Sequence, residues 1–248
     1  KGLEKYKINL CSTLDNLSKD TDVIISMLPG DDEVLENVSQ VKKNIKPNSV
    51  FVDMSSTKVS TANECYKVLK EINSHFIDAP VSGGPEGAKS GSLAIMAGGE
   101  QNIFLKIKPI LETMGKSTLL GPNGSGQVAK LCNQIIVNIT IGAVAEAILL
   151  CEKNGTDPNK FITAVSGGFA DSKILKIHGQ RMIDKNFIAG GKNITLLKDM
   201  TNILDSASKK NLNLPISKLI RNMFKNLCDA GLENDDHSSL YKEISNSK

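Results

Sequence analysis

One break governs what this chain can fold into. Up to residue 120, short runs rich in Val, Ile and Phe alternate with stretches of helical period; beyond Gly121-Pro122-Asn123-Gly124 the strand signal stops. Runs at 23–28, 49–54, 74–77, 92–97 and 117–120 are bounded by turn formers such as Asp, Asn, Pro and Gly, and read as strands. Helical periodicity fills 31–44, 58–72 and 101–114 between them. Alternation of this kind predicts a mostly parallel sheet flanked by helices. After the break, helices are predicted at 127–154, 158–166, 172–183, 195–210 and 215–230, with a short one near 238–244. The break itself marks the domain boundary. An α/β domain over 1–123 is expected to precede an all-helical domain over 124–248, entered through one long helix.

Composition narrows the function classes. With 248 residues and 40% hydrophobic content, the chain can bury a sizeable core. A net charge of +3, scattered lysines and the absence of Trp argue against a nucleic-acid surface. The most apolar stretch, residues 135–151, is interrupted by Asn138 and Glu146. It falls short of the roughly 20 residues a bilayer demands. It reads as a helix apolar nearly all round, buried in a core or a dimer, and no membrane partner is expected. The five cysteines (Cys11, Cys65, Cys132, Cys151, Cys228) show no metal-ligand spacing, and no metal is assigned. Their odd number and spread predict free, mostly buried thiols in a reducing compartment, with Cys132 a packing residue. His178 and His237 read as surface or structural.

The chemistry-bearing segment is Gly124-Ser125-Gly126-Gln127-Val128-Ala129-Lys130-Leu131-Cys132-Asn133. Lys130 and Asn133 stand three residues apart and share one helix face, just past glycines that would let a ligand come close. An ammonium beside an amide suits a developing alkoxide: one moves a proton, the other holds the oxygen. A solvated lysine near a helix start is the plain alternative. In Ser82-Gly83-Gly84, two glycines after a serine let backbone amides turn towards an anion, against an ordinary turn after Pro80.

Taken with Asp78-Ala79-Pro80-Val81-Ser82-Gly83-Gly84-Pro85 and Leu196-Leu197-Lys198-Asp199-Met200, the Gly-x-Gly-x-x-x-Lys-x-x-Asn motif makes the chain resemble the β-hydroxyacid dehydrogenase family. That family includes 3-hydroxyisobutyrate dehydrogenase, tartronate semialdehyde reductase and the glyoxylate/succinic semialdehyde reductases. Met27-Leu28-Pro29 and Asp53-Met54-Ser55-Ser56-Thr57 fit its cofactor-side loops. Asp236-His237-Ser238-Ser239-Leu240 looks like the tail of the tartronate semialdehyde reductase branch. The resemblance runs over essentially the whole chain.

The resemblance implies a Rossmann-like domain, incomplete at its start, and a helical domain like that of 6-phosphogluconate dehydrogenase. No Gly-x-Gly-x-x-Gly turn precedes the first strand run. A βαβ unit of about 30 residues is therefore expected upstream of Lys1-Gly2, and truncation accounts for this better than a fold that never had it. NAD or NADP is the implied cofactor; the residue that would choose between them falls in the missing unit. Lys130 becomes the general acid/base, and Asn133 the group that orients the substrate. Ser82, Gly83 and Gly84 hold its carboxylate. Leu28, Pro29 and Thr57 flank the cofactor, Thr57 being equally readable as a helix N-cap. Lys198 lies near the nicotinamide and Asp199 supports the active lysine; a charge pair at a helix N-terminus is the plain alternative for both.

The implied reaction is hydride exchange between a nicotinamide and a short β-hydroxyacid or its semialdehyde. Tartronate semialdehyde reduction is favoured by the tail. The alternatives are a 3-hydroxyisobutyrate dehydrogenase, a glyoxylate/succinic semialdehyde reductase, an inert fragment, or an inactive scaffold, the last argued against by intact Lys130 and Asn133. Gly191 stands where several relatives carry a pocket aromatic, and Phe169 is the candidate replacement. A homodimer or homotetramer in the cytoplasm, or in the mitochondrial matrix of a eukaryote, completes the expectation.

Overall fold

The computed structural model describes residues 8–188 and 190–246. Lys1-Gly2, where the upstream unit is expected to join, lies outside them. Two compact units divide between Lys130 and Leu131.

In the first unit, β1 (Val23–Ser26), β2 (Val50–Asp53) and β3 (His75–Asp78) run parallel. Past the Ala79-Pro80 bend, β4 (Val81–Ser82) continues the line of β3. Both pair antiparallel with the same neighbour, β5 (Leu93–Gly98), which pairs in parallel with β6 (Gly115–Gly121). The period-2 alternation of the strands sorts their apolar side chains onto two faces. Val50, Val52, Ile77, Ile95 and Ala97 pack with α5 (Gln101–Leu111) through Ile103, Phe104 and Ile107. Ile24, Phe51 and Phe76 pack with α2 (Asp31–Val41) and α3 (Val59–Lys70) through Val34, Val38, Cys65 and Leu69. Helices on both faces of a mostly parallel sheet are the predicted arrangement. Two short helices were not predicted: α1 (Leu14–Ser18), capped by Thr13, and α4 (Gly84–Lys89).

The long helix α6 (Ser125–Lys153) carries the chain from one unit into the other. The second unit continues with α7 (Pro158–Val165), whose start is fixed by Pro158 and the Asp157 side chain accepting from the Asn159 amide. The helix expected over 172–183 is instead a π-helical turn, Leu175–Gly179, followed by α8 (Gln180–Ile183). Then come α9 (Asn193–Ser208), α10 (Pro215–Asp229), a 3-10 turn at His237–Ser239 and α11 (Leu240–Asn246). Its core includes Ile141, Ile148, Met182, Met200 and Phe224, each less than 2% exposed.

The thiols depart from expectation. All five cysteines are free, but Cys65 alone is buried; Cys11 and Cys132 are exposed. Cys132 is therefore not a packing residue, because its helix turns it outward.

Candidate active site

The site begins at the carboxyl ends of the parallel strands, where open α/β sheets bind ligands. Register aligns Ser26 with Asp53 and Asp53 with Asp78 across β1, β2 and β3. Asp53 is buried, and its Oδ1 accepts from Ser26 Oγ at 2.8 Å and Ser55 Oγ at 2.6 Å. Burial raises its pKa, and the two serine hydroxyls pull it back. Ser55 Oγ in turn accepts the Leu28 N–H at 2.8 Å. One buried carboxylate thus fixes both loops expected to flank the cofactor, Met27-Leu28-Pro29 and Ser55-Ser56-Thr57.

Thr57 is not a helix N-cap. Lys58 holds that position for α3, and no side chain bonds there. The Thr57 N–H donates to Gln127 Oε1 at 3.0 Å, while its own Oγ1 is buried with no hydrogen-bond partner. Buried hydroxyls are normally satisfied. An orphaned one in the loop after β2 fits a polar group arriving with a nicotinamide cofactor. Leu28 and Thr57 would hold such a group, which would supply hydride chemistry.

Two buried side chains anchor the start of α6. Asp78 accepts from the Gly124 amide at 2.7 Å and the Gln127 amide at 3.0 Å, a carboxylate placed on a helix N-terminus. Burial raises its pKa to about 6, and the backbone amides oppose that rise. Gly126 is required by contact with the sheet: a Cβ there would lie 2.4 Å from the Met96 carbonyl oxygen and 2.8 Å from Asp78 Oδ2. The room expected for a ligand at this glycine is taken by the strands themselves. Gln127 is fully buried, and its Nε2 donates to the Ser55 carbonyl at 2.9 Å. Its amide therefore ties the Ser55–Thr57 loop to α6.

One turn further on, Lys130 Nζ donates to the Val81 carbonyl at 2.9 Å, next to Ser82. The first unit thus brings Lys130 to the Ser82-Gly83-Gly84 segment. That segment is not the ordinary turn that stood as the plain alternative. Ser82 ends β4, and Gly83 caps α4 at φ 137°, a conformation that favours glycine. Pro85, in the first turn of α4, leaves Gly84 and Glu86 as its amide donors.

In the second unit the expected residues also meet. Asn133, three residues beyond Lys130 on α6, donates from Nδ2 to Gln134 Oε1 at 2.9 Å. Gln134 Nε2 donates to Asp199 Oδ2 at 2.6 Å, and Lys198 Nζ lies 3.8 Å from Asp199 Oδ1. Asp199 is 3% exposed and sits in the second turn of α9, so the pair is not a charge pair at a helix start. Gln134, absent from the sequence-based site, is the link. Its partner lies 65 residues away, and a glutamine carries no chemistry that marks it in sequence.

The chain as a whole matches known proteins. The NAD-binding domain of 6-phosphogluconate dehydrogenase matches as a family model over residues 1–156. The NAD-binding domain of NADP-dependent 3-hydroxyisobutyrate dehydrogenase matches over 124–244. The 2-hydroxy-3-oxopropionate reductase of Escherichia coli is 38% identical over 94% of this chain and 81% of its own length. The mitochondrial 3-hydroxyisobutyrate dehydrogenase of Drosophila melanogaster is 28% identical over 97% of this chain and 77% of its own. A solved 3-hydroxyisobutyrate dehydrogenase from Mycobacterium tuberculosis, with L-serine, superimposes with a TM-score of 0.87 at 25% identity. It covers 94% of this chain and 83% of that one.

Proposed function

Because the chain belongs to the β-hydroxyacid dehydrogenase family, we propose that it reduces 2-hydroxy-3-oxopropionate (tartronate semialdehyde). Its class is that of an NAD(P)-dependent oxidoreductase acting on small β-hydroxyacids. The choice of substrate within that class is supported by the 38% identity to the Escherichia coli reductase and by the Asp236-His237-Ser238 tail.

The observation that carries the mechanism is Lys130 held at the Val81 carbonyl, beside Ser82. In our reading the Gly84 amide and the Ser82 hydroxyl receive the substrate carboxylate. Lys130 gives a proton to the carbonyl oxygen on reduction and takes it back on oxidation. Asn133, held by Gln134, orients that oxygen. Leu28, Pro29 and Thr57 in the first unit, and Lys198 in the second, are the residues the family resemblance would give to the cofactor, and Asp199 fixes Lys198 and Gln134. A bound nicotinamide would supply the hydride.

Absorbance in the reduced-nicotinamide band tests this, with both cofactors against tartronate semialdehyde, glyoxylate, succinic semialdehyde and 3-hydroxyisobutyrate. The highest kcat/KM is expected for tartronate semialdehyde. Lys130→Ala is expected to lose about 10²–10⁴ in kcat while cofactor still binds, the range general acid/base groups supply. A higher kcat/KM for 3-hydroxyisobutyrate would replace the substrate assignment, and a near-normal Lys130→Ala would sink the role of the lysine. The free thiols support a reducing location, the cytoplasm or a mitochondrial matrix.

A further inference from the structure

Among the described residues, one cluster of metal-ligating side chains outside those given to catalysis is drawn together from distant segments. His178 sits in the π-helical turn Leu175–Gly179, and Asp236 and His237 open the 3-10 turn near the end of the chain. π-turns interrupt regular helices and recur where a side chain is being aimed at a site. The two imidazoles meet edge to face with Nε2 atoms 3.2 Å apart. Asp236 Oδ1 lies 3.7 Å from His178 Nδ1 and 4.0 Å from His237 Nε2. The side chains are 15%, 14% and 1% exposed. Neither histidine is therefore a surface residue.

We propose that His178, Asp236 and His237 form a two-histidine, one-carboxylate site for a first-row divalent cation such as zinc. The two Nε2 atoms face one another and share a hydrogen bond that an ion between them would replace, while both Nδ1 atoms are buried without a hydrogen-bond partner. His178 Nδ1 at 3.7 Å is beyond hydrogen-bond reach of the carboxylate it faces. Imidazole and carboxylate together suit a borderline cation. Zinc–nitrogen bonds of about 2.0–2.1 Å in tetrahedral geometry put two ligand nitrogens about 3.3 Å apart, close to the separation seen. Asp236 Oδ1, 4.0 Å from His237 Nε2, must approach by about 0.7 Å to reach the same spacing.

Asp236 is well placed for that, and its present partners say how. Oδ2 accepts from the Gly190 and Gly191 amides at 2.8 and 3.2 Å, and Arg181 Nη1 lies 3.6 Å away. Oδ1 accepts from the Ser238 amide at 3.0 Å and the Ser238 hydroxyl at 2.6 Å. The hydroxyl rotates freely about its bond, so it is the donor that yields to an ion. Gly191 accommodates the ring: a Cβ there would already stand 3.3 Å from His237 Cε1. Any side chain at 191 would press on that ring and require it to shift by a few tenths of an ångström. An ion here would clasp the π-turn to a tail segment that is already laced to residues 187–194, through Asp236 N to Phe187 O and His237 N to Gly191 O.

The test uses tag-free, metal-stripped whole protein, with zinc and cobalt(II) chlorides as probes. Zinc competed against a chromophoric chelator is expected to bind at one ion per chain and to raise the thermal midpoint. Cobalt(II) is expected to show d–d absorption without the near-ultraviolet thiolate band that the exposed Cys11 and Cys132 would give. His178→Gln and His237→Gln should each weaken zinc binding roughly tenfold or more. No bound ion, a thiolate band, or unchanged binding in both variants overturns the proposal. Should the variants fail to fold, the cobalt spectrum of the unsubstituted protein decides alone.

Discussion

Lys130 and Asn133 are the residues proposed to carry the chemistry, but their positions are set by residues with no such role, and the sharpest predictions concern those. Gln134 is 8% exposed and stands between the Asn133 amide and the Asp199 carboxylate. Gln134→Leu leaves a buried carboxylate short of a donor and Asn133 without its acceptor, a loss of about 1–3 kcal/mol. Gln134→Glu is worse, because it sets a second buried carboxylate against Asp199. We expect kcat to fall roughly tenfold in the first and further in the second, with steady-state kinetics as the check; the reverse order would refute the link. Asp78 gives a pH prediction. Its folded pKa of about 6 lies above the ordinary value of 3.8, so the folded state holds the extra proton between them. The stability it contributes is fully present below pH 3.8 and is lost as pH rises through 6, about 3 kcal/mol in all. Urea midpoints of the protein and of Asp78→Asn, compared from pH 4 to 7, should show the unsubstituted protein losing ground as pH rises. A flat difference would mean that the backbone amides outweigh burial.

At the scale of elements, the glutamine at the start of α6 acts as a strut. Its side chain joins α6 to the Thr57 amide and the Ser55 carbonyl, partners 70 and 72 residues away. Gln127→Leu fills the same buried space but leaves both groups unsatisfied, costing about 2 kcal/mol. The Ser55–Thr57 loop should then wander. We expect the cofactor KM to rise several-fold with substrate KM little changed; equal rises in both would point to general unfolding. Strands were legible because their apolar residues alternate with a period that few helices mimic, as Val50, Val52 and Phe51 do on opposite faces of β2. The two-residue β4 and the Gly-Pro-rich α4 were not, since neither has enough apolar residues to show a period. The π-turn was invisible for another reason: one widened turn barely disturbs the 3.6-residue pattern across 172–183. Lys130, Asn133 and the Ser82 segment were singled out by motifs that resemble those of a known family, since spacing alone left a solvated lysine and an ordinary turn as plain alternatives. Gln127 and Gln134 were not, because a glutamine acquires its meaning only from what folding brings to it.

At the scale of the whole molecule, the question is what covers α6. The apolar run within it is short, but the helix itself is 29 residues, with mean hydropathy 1.9 over its most apolar window and only 39% of that window buried. By length and composition alone it is long enough to cross a membrane, so the shortness of the apolar run is no argument against that. Burial within the chain does not account for its composition either. Ile136 and Leu150 are each 66% exposed, and Ala143 is exposed midway between them. Seven-residue spacing places all three along one stripe of the helix. The polar interruptions lie differently: Asn138 is buried and bonded to the Gln134 carbonyl at 2.8 Å, and Glu146 is exposed. Apolar stripes rimmed by polar residues mark protein–protein contacts. A second copy of the chain is the partner we propose, giving the homodimer or homotetramer expected from sequence. Ile136→Lys together with Leu150→Lys puts two charges into that contact and should shift the sedimentation velocity profile to monomer, with far-ultraviolet circular dichroism unchanged. An unsubstituted protein that already sediments as a monomer, or a double variant that keeps the same mass, would refute the stripe as the contact.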